Sequence, residues 1–224
     1  MVNVTIPSPE DHRIAKRPKP KADSRGERRK REILETALVM FSEQGYDGVS
    51  LRELAQRVGV DHSLVKYHFT DMDTLWREAV RFLFERMHKE LEPFRRLDGA
   101  KELRIAFPAF IREMVAYHAR HPEHARLMVM ESVRESERLK WAAETFIRRQ
   151  HRSVAPWLQK VIAEGLLPDV PIHELVTIIN AMCHISVTLA PMVRLSWGVE
   201  SPEGDAIGAH AETVLKILGF PATS

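Results

Sequence analysis

With 224 residues, 44% of them apolar, the chain is long enough to bury a sizeable core, as one domain or as a small domain fused to a larger one. Cys183 is the only cysteine, which excludes an intrachain disulfide and a cysteine-based zinc site and fits a reducing, cytoplasmic setting. The formal net charge is only +2, but the basic residues crowd the start, from Arg13 to Arg31, a pattern that suits a solvated arm or a polyanion partner.

Residues 1–24 are rich in Pro, Lys and Arg, lack periodicity, and are expected to be a disordered basic arm. The next stretch, "RRKREILETALVMFSEQGY", places Ile33, Ala37 and Phe41 on one stripe with Leu34 and Leu38 beside it, which predicts an amphipathic helix stopped by Gly45. In "GVSLRELAQRVGVDHSLVKYHF", Ser50 followed by Glu53 is a capping-box pattern, so a helix starts at Leu51. Gly59 ends it after Val58, and Asp61 caps a short helix from His62. A longer helix follows Asp71, with Leu75, Ala79, Phe82 or Leu83, and Met87 inward, until Pro93 and the Gly99 region interrupt it. Further helices are expected at about 101–119, 122–136, 138–164 and 171–195, and a last one from Ser201 and Pro202 to Leu218. Pro108, Pro156 and Pro191 fall inside these patterns and should kink them. The apolar region 172–195 is broken by His173, Glu174, Asn180 and His184, so it reads as a buried helix rather than a membrane span, and the start of the chain has no apolar core of signal-peptide type.

Two short helices joined by a glycine turn and held by a preceding helix describe a helix-turn-helix, whose second helix offers its exposed side chains to the DNA major groove. That face would carry His62, Ser63, Lys66, Tyr67 and His68, which are the donors, cation and aromatic that phosphates and base edges require. Across residues 28–87, about a quarter of the chain, "ILETALVMFSEQGYDGVSLRELAQRVGVDHSLVKYHFTDMDTLW" resembles the tetracycline-repressor (TetR) family of bacterial transcriptional regulators. The resemblance implies an all-α chain, with a three-helix DNA-binding domain at 27–87, its helix-turn-helix at 50–69, and a larger helical effector-binding and dimerisation domain at 88–224. It places Ser50 and Arg52 near backbone phosphates, His62 and Ser63 close to base edges, and Tyr67 and His68 at phosphate. In two positions the chain departs from the family's pattern: Lys66 stands where many members have a tyrosine, and Met72 where they have a phosphate-binding lysine. Arg25 and Arg28 are candidates to extend the contact from the basic arm into the minor groove.

A metal site at His62 and His68 is disfavoured, because helical ligand pairs need a spacing of three or four residues and these are six apart. No pattern of a catalytic site occurs, so neither an enzyme nor a metal or cofactor is expected. Phe69 is expected in the core and Tyr67 half packed. In the larger domain Phe107, Phe110, Met114, Tyr117, Met128, Trp141, Trp157, Met182 and His184 are candidate lining for an effector cavity, although each alone reads as ordinary core. The apolar helix at 171–195 and the last helix, near 202–218, are the candidate homodimer interface. The whole points to a dimeric repressor that binds a palindromic operator on double-stranded DNA, is released by a small, largely apolar effector, and involves no membrane. Alternatives are a DNA-binding architectural or adaptor protein without effector control and, less favoured, a helical enzyme.

Overall fold

The computed structural model describes residues 25–95, 100–199 and 204–220, and among them the chain is all-α, with eleven α-helices and no strand. The helices are α1 (Arg25–Gln44), α2 (Leu51–Val58), α3 (His62–His68), α4 (Met72–Leu91), α5 (Ala100–Arg120), α6 (Pro122–Ser132), α7 (Glu137–Ala142), α8 (Arg148–Ala163), α9 (Ile172–Thr188), α10 (Ala190–Trp197) and α11 (Asp205–Ile217). A 3₁₀ turn at Glu92–Arg95 follows α4, and a π-helical segment at Ala143–Ile147 joins α7 to α8. The arm at 1–24, the Gly99 region and the expected helix start at Ser201 and Pro202 lie outside the described residues.

Side-chain caps set the first boundaries. Ser50 Oγ accepts from Glu53 N at 3.1 Å and opens α2, while Asp61 and Asp71 each accept a backbone N–H at 2.7 Å to open α3 and α4. Gly59, at φ 74° and ψ 39°, adopts the left-handed conformation that lets its own N–H and that of Val60 satisfy the last carbonyls of α2. A side chain there would be strained by backbone conformation alone, since an added Cβ meets nothing within 4 Å.

These elements pack around two cores. The first gathers Ile33, Ala37, Leu38 and Phe41 of α1 with Leu54, Val65, Phe69, Leu75, Trp76 and Ala79, all but fully buried. Each such leucine contributes about 1.5–3 kcal/mol by leaving water. The second core joins Met87 and Leu91 to α5, α8, α9 and α11, so α4 supplies its N-terminal part to one core and its C-terminal end to the other. The first core is not confined to residues 27–87. Leu127 of α6 and Ala142 of α7 are buried in it, and Trp141, Phe146 and Ile147 pack against it.

The stretch expected as one helix at 138–164 is instead α7, the π segment and α8, and α6 stops at Ser132 rather than 136. The long helix expected at 171–195 divides at Leu189, where α9 and α10 meet at a bend of 63°. Pro191 explains the division, because it has no N–H to offer the Val187 carbonyl four residues back. The Arg126 guanidinium donates to that carbonyl instead, at 3.0 Å. By contrast, α5 and α8 run on through Pro108 and Pro156. Among the described residues no single helix is long and apolar enough to cross a membrane.

Candidate functional site

The projecting face of α3 is held from behind by Val65 and Phe69, both with no exposed surface. Lys30 of α1 ties the unit together, with Nζ 5.8 Å above the Phe69 ring and 3.1 Å from Glu78 of α4. On the outside Ser63 and Lys66 are exposed, and His62 and His68 are half-buried. Tyr67, expected to be half packed, is 82% exposed and meets the His68 ring edge-on with centroids 5.2 Å apart, because α3 is a short helix whose single buried stripe is already filled by Val65. Hydrogen bonds from the Ser63 hydroxyl and its N–H hold the Asp61 carboxyl below the usual carboxylate range, so the cap carries a negative charge next to His62. Ser50 and Arg52 are exposed at the start of α2. Arg25 and Arg28, grouped with the arm in the sequence, sit in the first turn of α1 and are exposed. Met72 is half-buried against the first core, which accounts for an apolar residue at that position. Among the described residues no group of three or more His, Cys, Asp or Glu side chains is arranged to hold a metal ion.

A cavity of about 940 Å³ lies between α4, α5, α6, the π segment, α8 and α9. Of the nine side chains proposed from sequence to line it, Phe110, Met114, Met128 and His184 do so. The other five are spent elsewhere. Phe107 and Trp157 stack at 5.8 Å inside the second core, and Met182 packs at its edge while its carbonyl meets His210. Tyr117 is fully buried with its hydroxyl 2.8 Å from His124 Nδ1. Trp141 packs on Trp76 at 5.9 Å, under the Arg77 guanidinium, and belongs to the first core.

Lining residues that sequence reasoning missed include Phe84, Phe146, His118 and His124. Phe84 and Phe146 stack nearly parallel, with centroids 5.0 Å apart, and Phe146 meets Trp141 edge-on at 5.4 Å. The cavity wall is thus joined to the DNA-side core by a chain of rings, Phe84, Phe146, Trp141 and Trp76. His118 and His124 lie on α5 and α6, and a recoverable signal existed for the first: Phe110, Met114 and His118 recur every four residues and so share a helix face.

Burial keeps these imidazoles uncharged. It pushes His118 down to about 3, with the neighbouring His184 and His121 adding to the effect, and burial likewise lowers His124 and His184. The nearby Asn180 side chain pulls His118 weakly the other way, though neither His118 nitrogen has a well-formed hydrogen bond to a described residue. Because the unfolded chain binds this proton near pH 6.5 and the folded chain only near 3, stability is present above 6.5 and is lost as pH falls through that window. Each such histidine contributes a slope of about 1.4 kcal/mol per pH unit. Urea unfolding between these two pH values should show a shallower pH slope for His118→Gln than for the native chain; equal slopes would mean that His118 is protonated in the fold.

Comparison with known proteins bears on both halves. Residues 33–79 match the family described as bacterial regulatory proteins, tetR family, and residues 105–217, about half the chain, match the tetracyclin repressor-like C-terminal domain. The chain belongs to the TetR family. The chain is 32% identical over 56 residues to the biofilm operon icaADBC HTH-type negative transcriptional regulator IcaR of Staphylococcus aureus, a match covering only 25% of this chain and 30% of that protein. The TetR fold is also that of the ketosteroid transcriptional regulator KstR2 of Mycobacterium tuberculosis, at TM-score 0.65 and 17% identity over 91% of this chain and 98% of that one. The transcriptional regulator FadR of Bacillus subtilis, solved in complex with stearoyl-CoA, aligns at TM-score 0.62 and 15% identity, covering 84% of this chain and 96% of that one. By family, then, this TetR protein is a transcriptional regulator, and its helix-turn-helix lies within the matched residues 33–79.

Proposed function

We propose that the protein is a homodimeric repressor that reads a palindromic operator through α3 and releases it when a small, largely apolar molecule occupies the cavity. The observation that carries the reading is the position of α4, which lines the cavity with Phe84, Met87 and Leu91 and buries Leu75, Trp76 and Ala79 in the core beneath the recognition helix. A ligand that spreads the cavity wall acts on the DNA unit through α4 and through the ring chain from Phe146 to Trp76. Since α6 and α7 also pack on that core, tilting the unit requires both to move with it. By linkage, operator DNA weakens effector binding by the same factor.

On this reading His62 and Ser63 face base edges, and Lys66, Tyr67, His68, Ser50 and Arg52 face phosphate, with Arg25 and Arg28 extending the contact. A second copy covers α9 to α11, where Ile178, Ile185, Met192, Leu195, Trp197 and Ile217 are exposed. Two-fold pairing sets the recognition helices roughly 35 Å apart, one turn of DNA. Selecting bound fragments from genomic DNA tests this directly. Fragments sharing an inverted repeat with half-sites one turn apart are the expected result, whereas a sequence-independent pool would sink the operator reading, and sedimentation as a monomer would sink the dimer.

A further inference from the structure

One end of the cavity is built from two facing stripes. On α5 Phe110, Met114 and His118 recur at four-residue spacing, and on α9 Val176, Asn180 and His184 do the same. His118 stands between two other imidazoles, its ring centroid 5.5 Å from that of His184 and 5.8 Å from that of His124. The hydrogen-bonding capacity of the neighbours is partly spent, on Thr188 Oγ1 at 3.0 Å for His184 and on the Tyr117 hydroxyl at 2.8 Å for His124. His118, however, is 2% exposed and lines the cavity, and the Asn180 side chain beside it makes no well-formed hydrogen bond to either nitrogen. A buried donor and acceptor left unpaired is unfavourable, and the same pair becomes a source of selectivity once a ligand completes it.

We propose that His118 is the polar anchor of the cavity, binding the hydroxyl group of an otherwise apolar, uncharged effector. The inference rests on the effector reading given above and narrows it to a ligand class. A neutral imidazole both donates and accepts, and a hydroxyl can take either role toward it. Charge at this end is disfavoured in either sign. Among the described residues Glu85 is the only carboxylate lining the cavity, and it is exposed. Arg86 is already held by Glu123 at 2.6 Å, the half-buried Arg126 is held by the Val187 carbonyl, and the lining Arg81 and Arg149 are exposed, so a carboxylate seated at His118 would be buried without a counter-ion. Low imidazole basicity at this end agrees with that geometry. Elsewhere in the wall Phe84, Leu91, Met114 and Phe146 offer an apolar face, among polar side chains such as Gln150 and Thr177, against which a hydrocarbon body can lie.

The test uses the full chain and the uncharged fluorophore N-phenylnaphthylamine, displaced by decanol, decanoate or decylammonium near neutral pH. Decanol should displace it at the lowest concentration. In His118→Leu the decanol affinity should fall roughly tenfold while the fluorophore still binds, which reports an intact cavity. His118→Gln, which keeps a neutral donor and acceptor, should retain the preference for decanol. Tighter binding of decanoate, which would seat the head at the exposed Arg81 and Arg149 instead, overturns the proposal, as does an unchanged decanol affinity in His118→Leu. If the fluorophore itself fails to bind the native chain, the effector reading falls along with this inference. If it binds with no preference for the alcohol, only the inference falls.

Discussion

Replacing Glu123 with alanine is expected to cost the fold about 3–5 kcal/mol, a large share of the stability of a chain this size. Arg86 on α4 donates to Glu123 on α6 at 2.6 Å, and the two side chains are only 13% and 11% exposed. Removing the carboxylate leaves a guanidinium that cannot shed its proton, among the His121 and Tyr117 rings and with a buried Nε that already lacks a described partner. The penalty comes from the stranded charge more than from the lost bond. A double variant, Arg86→Met with Glu123→Leu, removes both ions and should therefore recover most of the loss. Urea denaturation of the three proteins decides the matter, and a Glu123→Ala midpoint matching the native one would refute the account. Because the pair joins α4 to α6, it also stiffens one side of the cavity.

The second large effect is expected at the DNA. Lys66→Ala should weaken operator binding by about 2 kcal/mol, since a dimer carries the change twice, and should lower the salt dependence of binding by about two ion contacts. Lys66 is exposed on α3, next to a tyrosine that is 82% exposed, and nothing in the first core depends on it, so folding should be unaffected. Deleting residues 1–24 provides the contrast. It should cost less affinity than Lys66→Ala when both are measured by fluorescence anisotropy on the selected operator. The reverse ranking, with little dependence on DNA sequence, favours a basic-arm coating protein over a helix-turn-helix reader.

The DNA-binding half was legible because its instructions are local. Ser50, Gly59, Asp61 and Asp71 each act within four residues of themselves, and α2 and α3 begin at Leu51 and His62, the residues their caps imply. The larger domain was less so. Apolar periodicity marks which side of a helix is buried, but not whether that side faces a core or a cavity. Phe107, Trp157 and Trp141 read no differently from Phe110 and Met114, yet while all five pack in the cores only the last two also line the cavity. The divided helices were missed for a related reason. Nothing in the run of residues 143–147 announces a π turn, whereas Pro191 did carry a signal, read as a kink rather than a break.

By itself, then, the sequence determined an all-helical chain, the caps and turn that aim α3 outward, and membership in a family of regulators. Only the tertiary structure decided that His118, His124 and His184, from three different helices, share one end of a cavity, and that Phe146 and Trp141 link its wall to Trp76. The physical reason is range. A cap or a glycine turn satisfies backbone groups close by in the chain, but a buried histidine takes its character from whichever helices pack against it, and that is settled only when they do.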